Sequence, residues 1–145
     1  MKIKILSAFA LLLLVSLTVV YSCKKKSTTT TTSTSTSADY AGTWSTTSKC
    51  SSSMTYQMTV TASGASAVVL NNFHANASTN GYKLNATISD NSITISSQTV
   101  SNSVGSNPLT FSGSGTLSPP SSLSISYTAK DISGATLSCT ATCTK

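Results

Sequence analysis

From Trp44 onward the chain alternates. Met54, Tyr56, Met58 and Val60 are separated by Thr55, Gln57 and Thr59. The same period returns in Tyr82, Leu84, Ala86 and Ile88, and in Ile93 and Ile95. It continues through Leu109, Phe111, Gly113, Gly115 and Leu117, then Leu123, Ile125 and Tyr127, then Ala135, Leu137, Cys139, Ala141 and Cys143. A period of two places alternate side chains on one face of a strand, and no stretch of this region follows the 3.6-residue period of a helix. Turn formers cut the pattern at Ser63-Gly64, Ser89-Asp90-Asn91, Pro119-Pro120 and Asp131 to Gly134. With Gly42 to Lys49 as the first strand and Ala67 to Leu70 as a short apolar one, the pattern predicts eight strands. The longer polar stretches Asn71 to Gly81 and Ser101 to Pro108 are expected loops.

Each predicted strand has one apolar face and one Ser/Thr face, as antiparallel strands with one wet side do. Thr on the wet side also suits strand propensity. Eight short strands in sequence order predict an all-β, up-and-down antiparallel barrel. Closure removes the exposed edges that a chain with 8% charged residues has few charges to protect. A two-sheet β-sandwich is the alternative architecture.

Ahead of this domain, Met1 to Ser22 has the layout of a bacterial export signal. Lys2 and Lys4 precede an apolar run from Leu6 to Tyr21, centred on Leu11-Leu12-Leu13-Leu14. The run is shorter than the ~20 apolar residues a spanning helix needs. Val20-Tyr21-Ser22-Cys23 resembles a lipobox, the cleavage site of bacterial lipoproteins. The resemblance implies cleavage before Cys23 and attachment of diacylglycerol and palmitate-type chains there. Two or more acyl chains anchor a protein stably, and Lys24 to Lys26 add attraction to an anionic lipid surface. Lys24, where Asp would direct other sorting, implies the outer membrane by the same resemblance. Ser27 to Ser37 is an unbroken Ser/Thr run with nothing apolar to bury, an expected tether. The expected organisation is therefore a signal peptide over 1–22, a lipidated Cys and tether over 23–38, and a β-domain over 39–145.

Charge and composition narrow the chemistry. The net charge of +6 comes from nine Lys against three Asp. Five of those Lys lie before residue 27, so the β-domain is nearly neutral. A nucleic-acid partner needs a basic patch on the fold, usually with Arg; the chain has no Arg. With no Glu and one His, carboxylate pairs and metal cages have little to be built from, and we expect neither metal nor cofactor. Ser and Thr exceed a third of the chain, which makes any serine triad uninformative, and no Gly-x-Ser-x-Gly elbow leads into a helix. The expectation is a protein that is not an enzyme. His74, beside Phe73 in a polar loop, is expected at the surface. Gly113 and Gly115 within one strand are expected to allow bending or leave room for a facing aromatic.

Tyr40-Ala41-Gly42-Thr43-Trp44 looks like the Gly-x-Trp opening of lipocalins. The resemblance implies an eight-stranded barrel whose Trp closes the bottom under a basic residue, here Lys145 or Lys130. More broadly, the region from Asp39 to Lys145 resembles small lipoproteins of Bacteroidota-type bacteria. The matching positions are Tyr40, Gly42, Trp44, Cys50, Asn72-Phe73, Gln98, Gly113, Gly115, Cys139 and Thr144-Lys145. That resemblance implies a lipocalin-like barrel with no established activity. The expected function is a lipid-anchored envelope module that binds a small apolar ligand. Its candidate lining is Trp44, Tyr56, Met58, Leu84, Phe111 and Tyr127. The alternative is a structural or surface-interaction domain with a filled core.

With Cys23 acylated, Cys50, Cys139 and Cys143 remain. In a closed meander the first and last strands are antiparallel neighbours, so Cys50 at the far end of the first faces the beginning of the last. Cys139 is therefore the expected partner, and the resembling lipoproteins carry the same two cysteines. Cys139 and Cys143, ~13 Å apart along one strand, cannot bond each other.

Overall fold

The computed structural model describes residues 34–75, 80–102, 105 and 108–145. The expected signal peptide, Cys23 and the tether through residue 33 lie outside these residues. One helical turn, α1 (Ser37–Tyr40), precedes eight strands: β1 (Gly42–Lys49), β2 (Ser53–Ala62), β3 (Ala67–Phe73), β4 (Tyr82–Ser89), β5 (Ser92–Val100), β6 (Leu109–Ser118), β7 (Ser122–Lys130) and β8 (Thr136–Thr144). Each strand pairs antiparallel with the next, and β8 returns to β1 to close the barrel. The structure is thus the expected closed barrel and not a sandwich.

The alternation becomes inside and outside. Along β4, Tyr82, Leu84, Ala86 and Ile88 are buried and the residues between them exposed. The inward residues of all eight strands join one contiguous core. At one end, the base, α1 and the β2–β3, β4–β5 and β6–β7 turns come together. At the other, the mouth, lie the β1–β2, β3–β4, β5–β6 and β7–β8 connections.

Trp44, wholly buried, plugs the base across from Met58. Its indole Nε1 donates to the Tyr40 carbonyl at 2.8 Å. Lys145 Nζ lies 4.5 Å from the centre of the indole ring, a cation–π contact worth about 0.5–2 kcal/mol. It also donates to the carbonyls of Asp39 at 2.8 Å and Ala41 at 3.0 Å. Of the two lysines expected there, Lys145 takes the place; Lys130 ends β7 at the mouth. Ser35 donates to the Asn91 side chain, and Ser35 and Ser37 are buried. Ser35 and Ser37, expected within the tether, are thus packed at the base of the barrel.

Three local devices complete the wall. β3 runs on to Phe73, although Asn71 and Asn72 were expected in a loop. The ladder to β4 shifts register between Leu70 and Phe73, and Asn72 has φ 62°, a left-handed conformation that Asn tolerates better than most residues. Its side chain replaces lost ladder bonds, donating to the Gln57 carbonyl at 2.6 Å and accepting from Gly81 N–H at 2.7 Å. A Cβ on Gly81 would lie 2.4 Å from the Asn72 carbonyl carbon, so only glycine fits. Between β4 and β5 the ladder covers only Thr87, Ile88 and Ser89. Beyond it the Gln98 side chain pairs with the backbone of Asn85, accepting from its N–H at 3.0 Å and donating to its carbonyl at 2.7 Å.

Candidate functional site at the barrel mouth

Gly113 on β6 stands opposite Tyr127 on β7, which in turn stands opposite Cys139 on β8. A Cβ at Gly113 would come within 2.4 Å of the Ser126 carbonyl oxygen and 2.7 Å of Tyr127 Cβ. The missing side chain is what lets the strands approach and Tyr127 turn inward, as the strand glycines led us to expect.

The Tyr127 hydroxyl is the hub of the mouth. It lies 2.6 Å from Ser48 Oγ and 2.8 Å from His74 Nδ1. A phenol carries one proton, so Tyr127 donates at most one of these bonds. Ser48 is fully buried, and the bond satisfies a hydroxyl that would otherwise be costly to bury. The Tyr56 hydroxyl accepts from the His74 backbone N–H at 3.0 Å.

Aromatic rings surround this polar group. Phe73 and Tyr127 meet at 4.7 Å between centroids, Tyr82 and Phe111 at 4.9 Å, and His74 and Phe111 at 5.6 Å. His74 is therefore not the surface residue expected from its polar loop. It is half-buried, held between its backbone bond to Tyr56 and its ring bond to Tyr127. Its φ of 54° follows that of Asn72, two left-handed residues close together where β3 ends. A lone His between Phe73 and Ala75 carries no periodic signal, and nothing in the sequence singles it out.

Beside this group the expected Cys50–Cys139 disulfide is formed, with Cα atoms 4.3 Å apart. Ser48 pairs with Ala141 and Lys49 with Thr140, and the next step of that register sets Cys50 against Cys139. Cys143 is free and buried. Burial pushes its thiol up, against a smaller downward pull from the Thr46 hydroxyl. Burial likewise pushes Tyr127 up and His74 down. Tyr56 is raised too, by burial first and by the neighbouring Tyr127 second. The cluster is uncharged at neutral pH, a set of donors and acceptors in an aromatic wall. Cys50, His74 and Cys139 bring potential ligand atoms within 4.8 Å of one another. While the two sulfurs are bonded together, only the imidazole is available to a metal.

The six candidate lining residues all lie inside the barrel, at two levels. Trp44 and Met58 belong to the base, whereas Tyr56, Phe111 and Tyr127 surround the mouth cluster, with Leu84 between. Three grooves lie along the outer wall. One of about 460 Å³ crosses β6, β7 and β8 along Ser112, Ser114, Ser126, Thr128 and Thr140.

No family model matches the chain, and no curated protein matches it. Among solved structures, that of EF1p2_mFAP2b bound to DFHBI is similar in fold, with a TM-score of 0.57 over 74% of this chain and 94% of that one, at 14% identity.

Proposed function

We infer that this protein is a lipid-anchored component of the bacterial cell envelope, held in the outer membrane through Cys23, whose barrel mouth receives a small apolar or aromatic ligand and performs no catalysis. The observation that carries the reading is the convergence of Tyr127, Ser48, Tyr56 and His74 within the ring of Phe73, Tyr82 and Phe111. A few fixed polar groups in an aromatic wall is how small-molecule sites are built. The similar barrel of EF1p2_mFAP2b is bound to DFHBI, which supports this reading at the level of the fold.

Titration with DFHBI and other planar aromatic dyes tests the ligand. Saturable micromolar binding, weakened at least tenfold by Phe111→Ala with the barrel intact by circular dichroism, is the expected result. Anchoring is tested separately. Cys23→Ser should leave the precursor uncut or release the protein from the membrane; processed Cys23→Ser protein that stays anchored would sink that part.

A second reading, a structural or surface-interaction domain without ligand, is favoured by one observation. Trp44, Phe73, Phe111, Met58 and the central aliphatic residues are wholly buried against one another. Absence of saturable binding to any dye would decide for it.

A further inference from the structure

We propose that reduction of the Cys50–Cys139 disulfide turns the mouth into a binding site for a thiophilic cation of the zinc class, held by the two cysteine sulfurs and the His74 imidazole. The inference is independent of the small-ligand reading. It rests on three potential ligand atoms already gathered within 4.8 Å. Cys139 stands on β8 and Cys50 directly follows Lys49, the last residue of β1, and the β1–β8 ladder runs from Lys49 and Thr140 to Ser45 and Thr144. That ladder keeps the two residues facing each other when the covalent bond is gone.

The redox step is a thiol–disulfide exchange. A dithiol supplies two electrons and two protons, the S–S bond breaks to give two thiols, and the dithiol leaves as its own disulfide. The freed sulfurs then need to separate to about 3.8 Å, the distance set by two ~2.3 Å Zn–S bonds at a tetrahedral angle. Rotation about the cysteine side-chain bonds supplies this without moving the strands. On binding, both thiols release their protons to water.

The surroundings suit such a site. The Tyr127 hydroxyl holds the His74 ring through Nδ1 at 2.8 Å, the kind of outer contact that orients metal-ligating histidines. The Tyr127 and Ser48 hydroxyls lie 3.8 and 3.9 Å from Cys50 Sγ, so one of them can donate to a thiolate while the other's proton keeps the bond between them. Two sulfurs and one nitrogen leave the fourth tetrahedral position to water, as in zinc sites that keep one exchangeable ligand. In the oxidised protein the same sulfurs are tied to each other, so the bridge acts as a redox gate on the site.

The test uses the full-length chain carrying Cys23→Ser and Cys143→Ser, so that Cys50 and Cys139 are its only thiols. It is reduced with a phosphine, which consumes one water and leaves as its oxide, and titrated with Co(II) as a spectroscopic stand-in. The expected result is one cobalt per chain with a thiolate-to-metal charge-transfer band, displaced by zinc and absent from the oxidised chain. His74→Gln should weaken binding at least about tenfold, and Tyr127→Phe by a similar or smaller factor. Three results would overturn the proposal: no band in a reduced chain that keeps its sheet signal by circular dichroism, affinity unchanged in His74→Gln, or loss of the sheet signal on reduction.

Discussion

Tyr40 at the base and Tyr127 at the mouth are both buried in the barrel core, yet their hydroxyls are treated differently. Tyr127 is bonded to Ser48 and His74. The Tyr40 hydroxyl is shielded and finds no hydrogen-bond partner among the described residues. Its ionisation is pushed up to about 12, chiefly by burial and secondarily by Asp39. The base uses Tyr40 and Trp44 as apolar bulk, and its polar bonds run through the indole N–H and the Lys145 ammonium to backbone carbonyls. The mouth uses its tyrosines as polar connectors and adds a covalent bridge. A stopper needs only volume, whereas a recognition site needs polar groups held in fixed places.

The comparison breaks most sharply at Trp44. Trp44→Ala should cost about 3–5 kcal/mol by emptying the base, read from denaturant midpoints by circular dichroism. Next is the bridge at the other end. It joins residues 89 apart in sequence, and replacing both cysteines by Ser should cost about 2–5 kcal/mol, with the sheet signal retained below the lowered midpoint. A loss under 1 kcal/mol would show that the β1–β8 ladder holds without it.

The two tyrosines give the sharper pair. Tyr127→Phe strands the buried Ser48 hydroxyl and should cost about 1–3 kcal/mol. Tyr40→Phe removes a hydroxyl with no partner and should be neutral or stabilising by up to about 1 kcal/mol. Equal losses in the two variants would erase the distinction between the ends.

The smallest effect is a pH dependence confined to the mouth. Burial lowers the pKa of His74 below its ordinary 6.5. Between that lowered value and 6.5 the unfolded chain binds more protons than the folded one, so stability rises with pH. It should be complete above about pH 6.5 and decline as pH falls through the folded value. His74→Gln should flatten this slope. The chain has a single His, and Asp39 and Asp131 lie below their usual 3.8 through bonds from Thr36 and Ser133, outside this window.

Strand positions, their inward faces, the closing Trp44 and the Cys50–Cys139 pair were legible in the sequence. Alternation is a property of neighbouring residues, and a strand shows it before it has a partner. Once eight strands close in order, first against last is arithmetic, which is how Cys50 found Cys139. The remaining features belong to the tertiary structure. His74 turns inward because Tyr56 and Tyr127, 18 and 53 residues away, hold it there. Gln98 takes the place of a strand ladder because β4 and β5 diverge beyond Thr87. Asn71 and Asn72 form a bulged strand where their polarity predicted a loop. Lys145 covers Trp44 because the end of β8 and the start of β1 meet at the base. A polar side chain has no periodic signature of its own; its role is set by which distant backbone group lacks a partner when the barrel closes, and that is known only once the chain is folded.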